Sequence, residues 1–116
     1  MSFTWSRKKI LITGINGFVG GHIAKSLIEL GAEVFGLIRT SKYNTFLYYE
    51  SLDKNISLIH GDLCDFNLLN RVISEEGINI IFHLAAQVEV GVALNNPYIT
   101  YETNVRGTYT LLESVR

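Results

Sequence analysis

An open, doubly wound α/β sheet of parallel strands is the fold class this sequence predicts, and three observations predict it. Short apolar runs rich in β-branched residues alternate along the chain with segments of helical periodicity. Strands separated by helices pair in parallel through right-handed crossovers. The runs are apolar throughout, as in strands covered on both faces. Glycines 14, 17 and 20 then punctuate the first strand-to-helix junction. The expected sheet has about four strands in the order 3-2-1-4, with helices on both faces.

The elements follow in order. Lys9–Thr13 (KILIT) is the first strand. Val19, Ile23, Leu27 and Leu30 recur at helical spacing over a helix from Phe18 to Leu30, and Gly31 stands where a left-handed cap is wanted. Glu33–Ile38 is the second strand. Residues 40–55 are polar and aromatic by turns, with weak helical character from Phe46 to Leu52. Ile56–His60 is the third strand. Asp65 caps a helix whose inner face is Phe66, Leu69, Val72 and Ile73, closed by Gly77. Ile78–Leu84 is the fourth strand. Asn96 and Pro97 open the last helix as N-cap and first helical residue, and Tyr101, Val105, Thr108, Leu112 and Val115 form its sheet-facing stripe.

Bulk properties exclude several classes. With 116 residues, 47% hydrophobic and 18% charged, the chain fits one domain and is not disordered. A net charge of −1 gives no general attraction to nucleic acid or an acidic membrane. Arg7-Lys8-Lys9 reads as a solvated flank. The single cysteine, Cys64, excludes an intramolecular disulfide and a multi-thiolate metal site. His22, His60 and His83 show no ligand spacing and read as structural. No run reaches the roughly 18 apolar residues of a membrane span. The first residues lack the apolar run of a signal peptide, so a soluble, cytoplasmic protein is expected.

The glycine loop carries the first functional reading. Thr13-Gly-Ile-Asn-Gly-Phe-Val-Gly20 follows a strand and opens an amphipathic helix, the context that makes a glycine pattern informative. Gly14 permits the tight turn, Gly17 lets the backbone approach a pyrophosphate, and Gly20 allows close helix–strand packing. The N–H groups and dipole of the helix start then face the negative charge. No Gly-Lys-Ser/Thr follows, which excludes a P-loop. The chain therefore reads as a Rossmann-like dinucleotide-binding unit.

Four motifs in register, Thr13-Gly-x-x-Gly-Phe-x-Gly20, Gly61-Asp62-Leu63, His83-Leu84-Ala85-Ala86-Gln87 and Thr103-Asn104-Val105-Arg106-Gly107-Thr108, resemble the signatures of the extended short-chain dehydrogenase/reductases. These are the NAD(P)-dependent nucleotide-sugar epimerases and dehydratases. The resemblance runs from about Lys9 to the last residue. It implies that Asn16, Phe18 and Val19 join the glycines around the cofactor, and that Asp62 and Leu63 line the adenine pocket. It places Leu84, Ala85, Ala86 and Gln87 beside the ribose. It makes Asn104 the helix asparagine that supports the catalytic pair. Gly107, costly in a helix, implies close packing on a neighbour.

Cofactor choice rests on one position. Arg39 stands at the end of the second strand, where an acid often selects NAD by binding the ribose 2′-OH. With Thr40, Ser41 and Lys42 following, a guanidinium there suits a 2′-phosphate, so NADP is expected over NAD. The resemblance extends to GDP-mannose 4,6-dehydratases at this place and at Asn44-Thr45. Ala85-Ala86-Gln87 and Asn96-Pro97 look like GDP- and CDP-sugar 4,6-dehydratases more than 4-epimerases. In such enzymes the cofactor takes a hydride from sugar C4, water leaves across C5 and C6, and the hydride returns to C6. A 4-epimerase or reductase of the same family, or a non-catalytic NAD(P)-binding module, is the alternative.

The family's Tyr-x-x-x-Lys pair is absent from this sequence: no tyrosine has a lysine four residues on. Tyr43, Tyr48 and Tyr49 read as packing or partner residues. The chain is therefore expected to be the N-terminal part of one NAD(P)-binding domain, binding cofactor without turnover, with a nucleotide sugar as partner of the longer enzyme. An unpaired fourth strand would present an apolar edge and favour self-association.

Overall fold

The computed structural model describes residues 3–39, 45–86 and 90–116. Strands β1 (Lys9–Thr13), β2 (Glu33–Ile38), β3 (Ile56–His60) and β4 (Ile80–His83) form one parallel sheet in the order β3-β2-β1-β4. The helical elements are α1 (Phe18–Glu29), α2 (Phe46–Tyr49), a 3₁₀ turn (Leu52–Asn55), α3 (Phe66–Glu76), α4 (Val90–Asn95), α5 (Pro97–Tyr101), a π turn (Glu102–Arg106) and α6 (Gly107–Val115).

Side-chain alternation explains why the strands are apolar throughout. Ile10, Ile12, Val34 and Ile38 point to one face and pack with Ala24 and Leu27 of α1, Leu47 of α2 and Leu52. Leu11, Phe35 and Leu37 point to the other and pack with Leu69 of α3 and Leu111 of α6. Both faces are covered, as the sequence predicts. The crossovers from β1 to β3 run over the first face and α3 returns over the second. Strand order therefore reverses between β1 and β4, a topological switch point.

The helix ends follow their expected chemistry. Gly31 is left-handed, with its N–H on the Ile28 carbonyl and that of Ala32 on Leu27, both at 3.0 Å. The Asp65 carboxylate accepts the Leu68 N–H at 3.1 Å, and Asn96 accepts that of Ile99 at 3.4 Å.

Five sequence expectations are corrected. The fourth strand is Ile80–His83, not Ile78–Leu84. The Ile78 N–H is used to close α3 on Ile73, and Asn79 trades hydrogen bonds with Lys9 outside the ladder. The weak helix at Phe46–Leu52 is α2 followed by the 3₁₀ turn, broken at left-handed Ser51. In α1, Val19 and Leu30 are exposed, and the packed face is Gly20, Ala24 and Leu27. In α3, Phe66 lies exposed at the first turn, and Leu68 takes its place in the core.

The fifth correction concerns the last helix, which is interrupted. Tyr101, Val105, Leu112 and Val115 are largely exposed, and the buried face is Gly107, Thr110, Leu111 and Ser114. The π turn inserts one extra residue and rotates the phase by about 100°. A stripe drawn at uniform spacing across it therefore misses the core. Of that stripe, Thr108 hydrogen-bonds to β4, through His83.

Gly77 isolates the cost of a left-handed cap. Its φ is +69°, and a Cβ would meet nothing within 4 Å. Gly77→Ala should therefore lose about 1–2 kcal/mol in urea denaturation from backbone strain alone, and Gly77→Asn clearly less.

Candidate functional site

The strand registers gather the sequence-predicted residues at one edge. Thr13 is level with Leu37 of β2 and His83 of β4, and Ile38 is level with His60 of β3. Just beyond these positions lie Gly14–Gly20, Arg39, Asp62–Leu63 and Leu84–Ala86, all at the carboxyl ends of the strands. Ligands of open α/β sheets bind at that edge, beside the switch point. Gln87, with Thr40, Ser41, Lys42, Tyr43 and Asn44, lies outside the described residues.

The glycine loop is built by contacts that leave no space for side chains at Gly14 and Gly20. Gly14 has φ +74°, and a Cβ on it would stand 2.8 Å from the Ala85 nitrogen. A Cβ on Gly20 would overlap the Gly14 carbonyl, so Gly20 packs on the loop itself more than on the strand. The Gly17 N–H donates to Gly14 O at 3.0 Å. Gly17, Phe18 and Val19 face solvent, placing the start of α1 and its unshared N–H groups at an open surface. Asn16, just before them, is half-buried.

Sequence reasoning missed the anchor of this loop. Ile15 is fully buried, and its side chain lies where a Cβ on Gly36 would be, at 2.7 Å. A glycine interrupting the apolar run of β2 was the available signal.

A second missed feature is a chain of hydrogen bonds behind the edge. Thr13 is completely buried. Its Oγ1 accepts the N–H of Leu84 at 3.0 Å and of Ala85 at 3.1 Å, and lies 2.7 Å from His83 Nδ1. His83 Nε2 is 3.1 Å from Thr108 Oγ1, which donates to the Asn104 carbonyl at 2.8 Å. Burial holds the His83 pKa below the usual 6.5. Asn104 lies within the π turn, half-buried. The histidine expected to be structural thus ties two strand ends to that turn.

Around Asp62 the chain makes a tight turn. The exposed carboxylate accepts the Cys64 N–H at 2.8 Å through Oδ1. The Leu63 side chain is buried against Gly107, where a Cβ would lie 2.5 Å from Leu63 Cδ2. The close packing expected of Gly107 is present. Cys64 Sγ donates to the Glu102 carbonyl at 3.4 Å. Burial and then the Asp62 carboxylate push its pKa up, away from the thiolate form. Arg39 is exposed, one residue past β2. Among the described residues no cluster of three potential metal ligands occurs, and no helix is long and apolar enough to cross a membrane.

A parallel switch-point sheet with a glycine cradle at its carboxyl edge defines the dinucleotide-binding α/β class. The family model described as GDP-mannose 4,6 dehydratase matches residues 11–116, and the chain belongs to that family. It is 37% identical to the GDP-mannose 4,6-dehydratase of Vibrio cholerae over 96% of this chain and 32% of the relative. Among solved structures, the UDP-glucose 4-epimerase of Thermotoga maritima with UDP-glucose has a TM-score of 0.80 at 32% identity, covering 91% of this chain and 33% of that one. The dTDP-glucose 4,6-dehydratase of Streptomyces venezuelae, with NAD and TYD bound, has a TM-score of 0.78 at 31% identity, covering 92% and 35%. The chain thus spans about a third of the length of each.

Two predictions follow from the buried hydroxyl. Thr13→Val keeps the shape but strips the Ala85 N–H and His83 of their partner and leaves the Leu84 N–H only the Thr13 carbonyl, and should lose about 1–3 kcal/mol in urea denaturation. Thr13→Ser should retain most of the stability. Unfolded His83 takes up a proton near 6.5, whereas the folded residue resists it until lower pH. The His83 contribution to stability is therefore present above 6.5 and declines as pH falls, until the folded residue is also protonated. Repeating the denaturation as a pH series should show that decline.

Proposed function

We propose that the carboxyl edge of this sheet binds NADP, as the cofactor-holding part of a nucleotide-sugar 4,6-dehydratase of the GDP- or CDP-sugar type. The observation that carries the reading is the cradle at Gly14, Gly17 and Gly20. Side chains are excluded at Gly14 and Gly20 by backbone contacts, and the start of α1 opens to solvent beside Gly17. Such a surface suits a pyrophosphate, which needs close backbone approach and N–H donors.

The remaining residues take roles along the same edge. Asn16, Phe18 and Val19 flank the pyrophosphate. Asp62 and the backbone at Leu63 meet the adenine, while Leu84, Ala85, Ala86 and Gln87 run beside the ribose. Asn104 supports the catalytic groups of the longer enzyme. When bound, the cofactor supplies reversible oxidation of the sugar. This chain's own residues bind it and orient it along the strand ends. The dehydratase type rests on the family match and on Ala85-Ala86-Gln87 with Asn96-Pro97. Lacking Tyr-x-x-x-Lys, the 116 residues alone bind without turnover, in the cytoplasm. The outer edge of β4, paired only to β1 among the described residues, favours association with a second copy.

Arg39 sets the choice of dinucleotide in this reading. Calorimetric titration should give tighter binding of NADPH than NADH, and Arg39→Asp should reverse the order by removing the 2′-phosphate partner and supplying a 2′-OH acceptor. An unchanged preference in Arg39→Asp would remove Arg39 from the site.

A further inference from the structure

His83 stands at the centre of five hydrogen bonds, and their donor count settles its state. The Thr13 hydroxyl has one proton and two lone pairs. Both lone pairs are engaged by the N–H groups of Leu84 and Ala85, so across the 2.7 Å contact Thr13 donates and His83 Nδ1 accepts. At the far end the Thr108 hydroxyl spends its proton on the Asn104 carbonyl, so across the 3.1 Å contact it accepts and His83 Nε2 donates. The Leu84 N–H is shared with the Thr13 carbonyl at 3.1 Å, but the Thr108 end reaches the same assignment independently. Only the neutral imidazole with its proton on Nε2 satisfies both ends.

We propose that His83, in this tautomer, is a positioning residue that fixes the Asn104 turn relative to the glycine loop. The relay runs from the Ala85 N–H through Thr13, His83 and Thr108 to the Asn104 carbonyl, with every donor pointing the same way. At that carbonyl it enters the π turn, where the backbone has lost its ordinary i−4 pairing and where functional sites are often found. The opposite side of the turn is held by Cys64 Sγ on the Glu102 carbonyl, from the loop that carries Asp62. The turn is therefore pinned to β1, β4 and the loop after β3. Protonated His83 would carry a hydrogen on Nδ1, facing a hydroxyl whose lone pairs are occupied, and the relay would break at Thr13. Among the described residues, those that share a hydrogen bond or a cavity wall with the ring are Thr13 of β1, Ile81 of β4, and Thr108, Leu111, Leu112 and Val115 of α6. None of these is titratable, so the ring itself is the switch point of the relay. The inference rests on the proposed function only in taking Asn104 and the glycine loop as parts of one site.

Nitrogen-15 NMR of the ligand-free chain tests it, so a failure to bind cofactor would sink the proposed function without touching this result. The expected outcome is a neutral His83 protonated on Nε2. On acidification, the amide signals of Thr13 and Ala85 and those of residues 104–109 should move together, with the midpoint of His83. Thr108→Val should abolish the pH-dependent movement of residues 104–109 while leaving that of Thr13 and Ala85, and Thr108→Ser should restore it. A His83 protonated on Nδ1 at neutral pH would overturn the proposal. So would residues 104–109 that ignore the His83 titration, or that still follow it in Thr108→Val.

Discussion

The buried hydroxyl of Thr13 is the interaction on which this edge depends. Beyond β1 and β4 the chain leaves the ladder: the Leu84 N–H still reaches the Thr13 carbonyl, but the Ala85 N–H is left to its half-buried contact with the Thr13 hydroxyl. An unsatisfied buried N–H costs on the order of 1–3 kcal/mol, so a side-chain acceptor at that depth stabilises a geometry that would otherwise relax. With the β4 exit drawn against β1, Ala85 meets Gly14 at a distance that excludes a Cβ. The loop is then confined between that backbone and Ile15 seated on Gly36. The cradle is shaped by what presses on it from behind.

Much of this was legible in the sequence, because strands covered on both faces and glycine-marked junctions leave local signals. The sheet order, three of the four strands, the caps at Gly31, Asp65, Gly77 and Asn96, and the tight packing of Gly107 are present as expected. The positions gathered at the carboxyl edge are those the motifs named, because parallel strands of one sheet end on the same side. Their roles toward a cofactor stay a proposal.

What was not legible has two physical causes. Helix faces were drawn by apolar periodicity, but α1 and α6 pack through small residues, Gly20, Ala24, Gly107 and Ser114, which let backbones approach and leave bulky neighbours outside. The π turn then broke the periodicity that the stripe from Tyr101 to Val115 assumed. The relay through His83 joins residues separated by 70 and 25 positions. No spacing rule reveals such partners; only the fold brings them together.

The most direct test of the dinucleotide-edge account is an NMR titration of the labelled chain with NADPH. It predicts saturable amide shifts concentrated at Gly14–Gly20, Arg39, Asp62–Leu63 and Leu84–Ala86, with the α3 surface and the far ends of the strands unmoved. Shifts centred on any other surface, or none at millimolar cofactor, would contradict it.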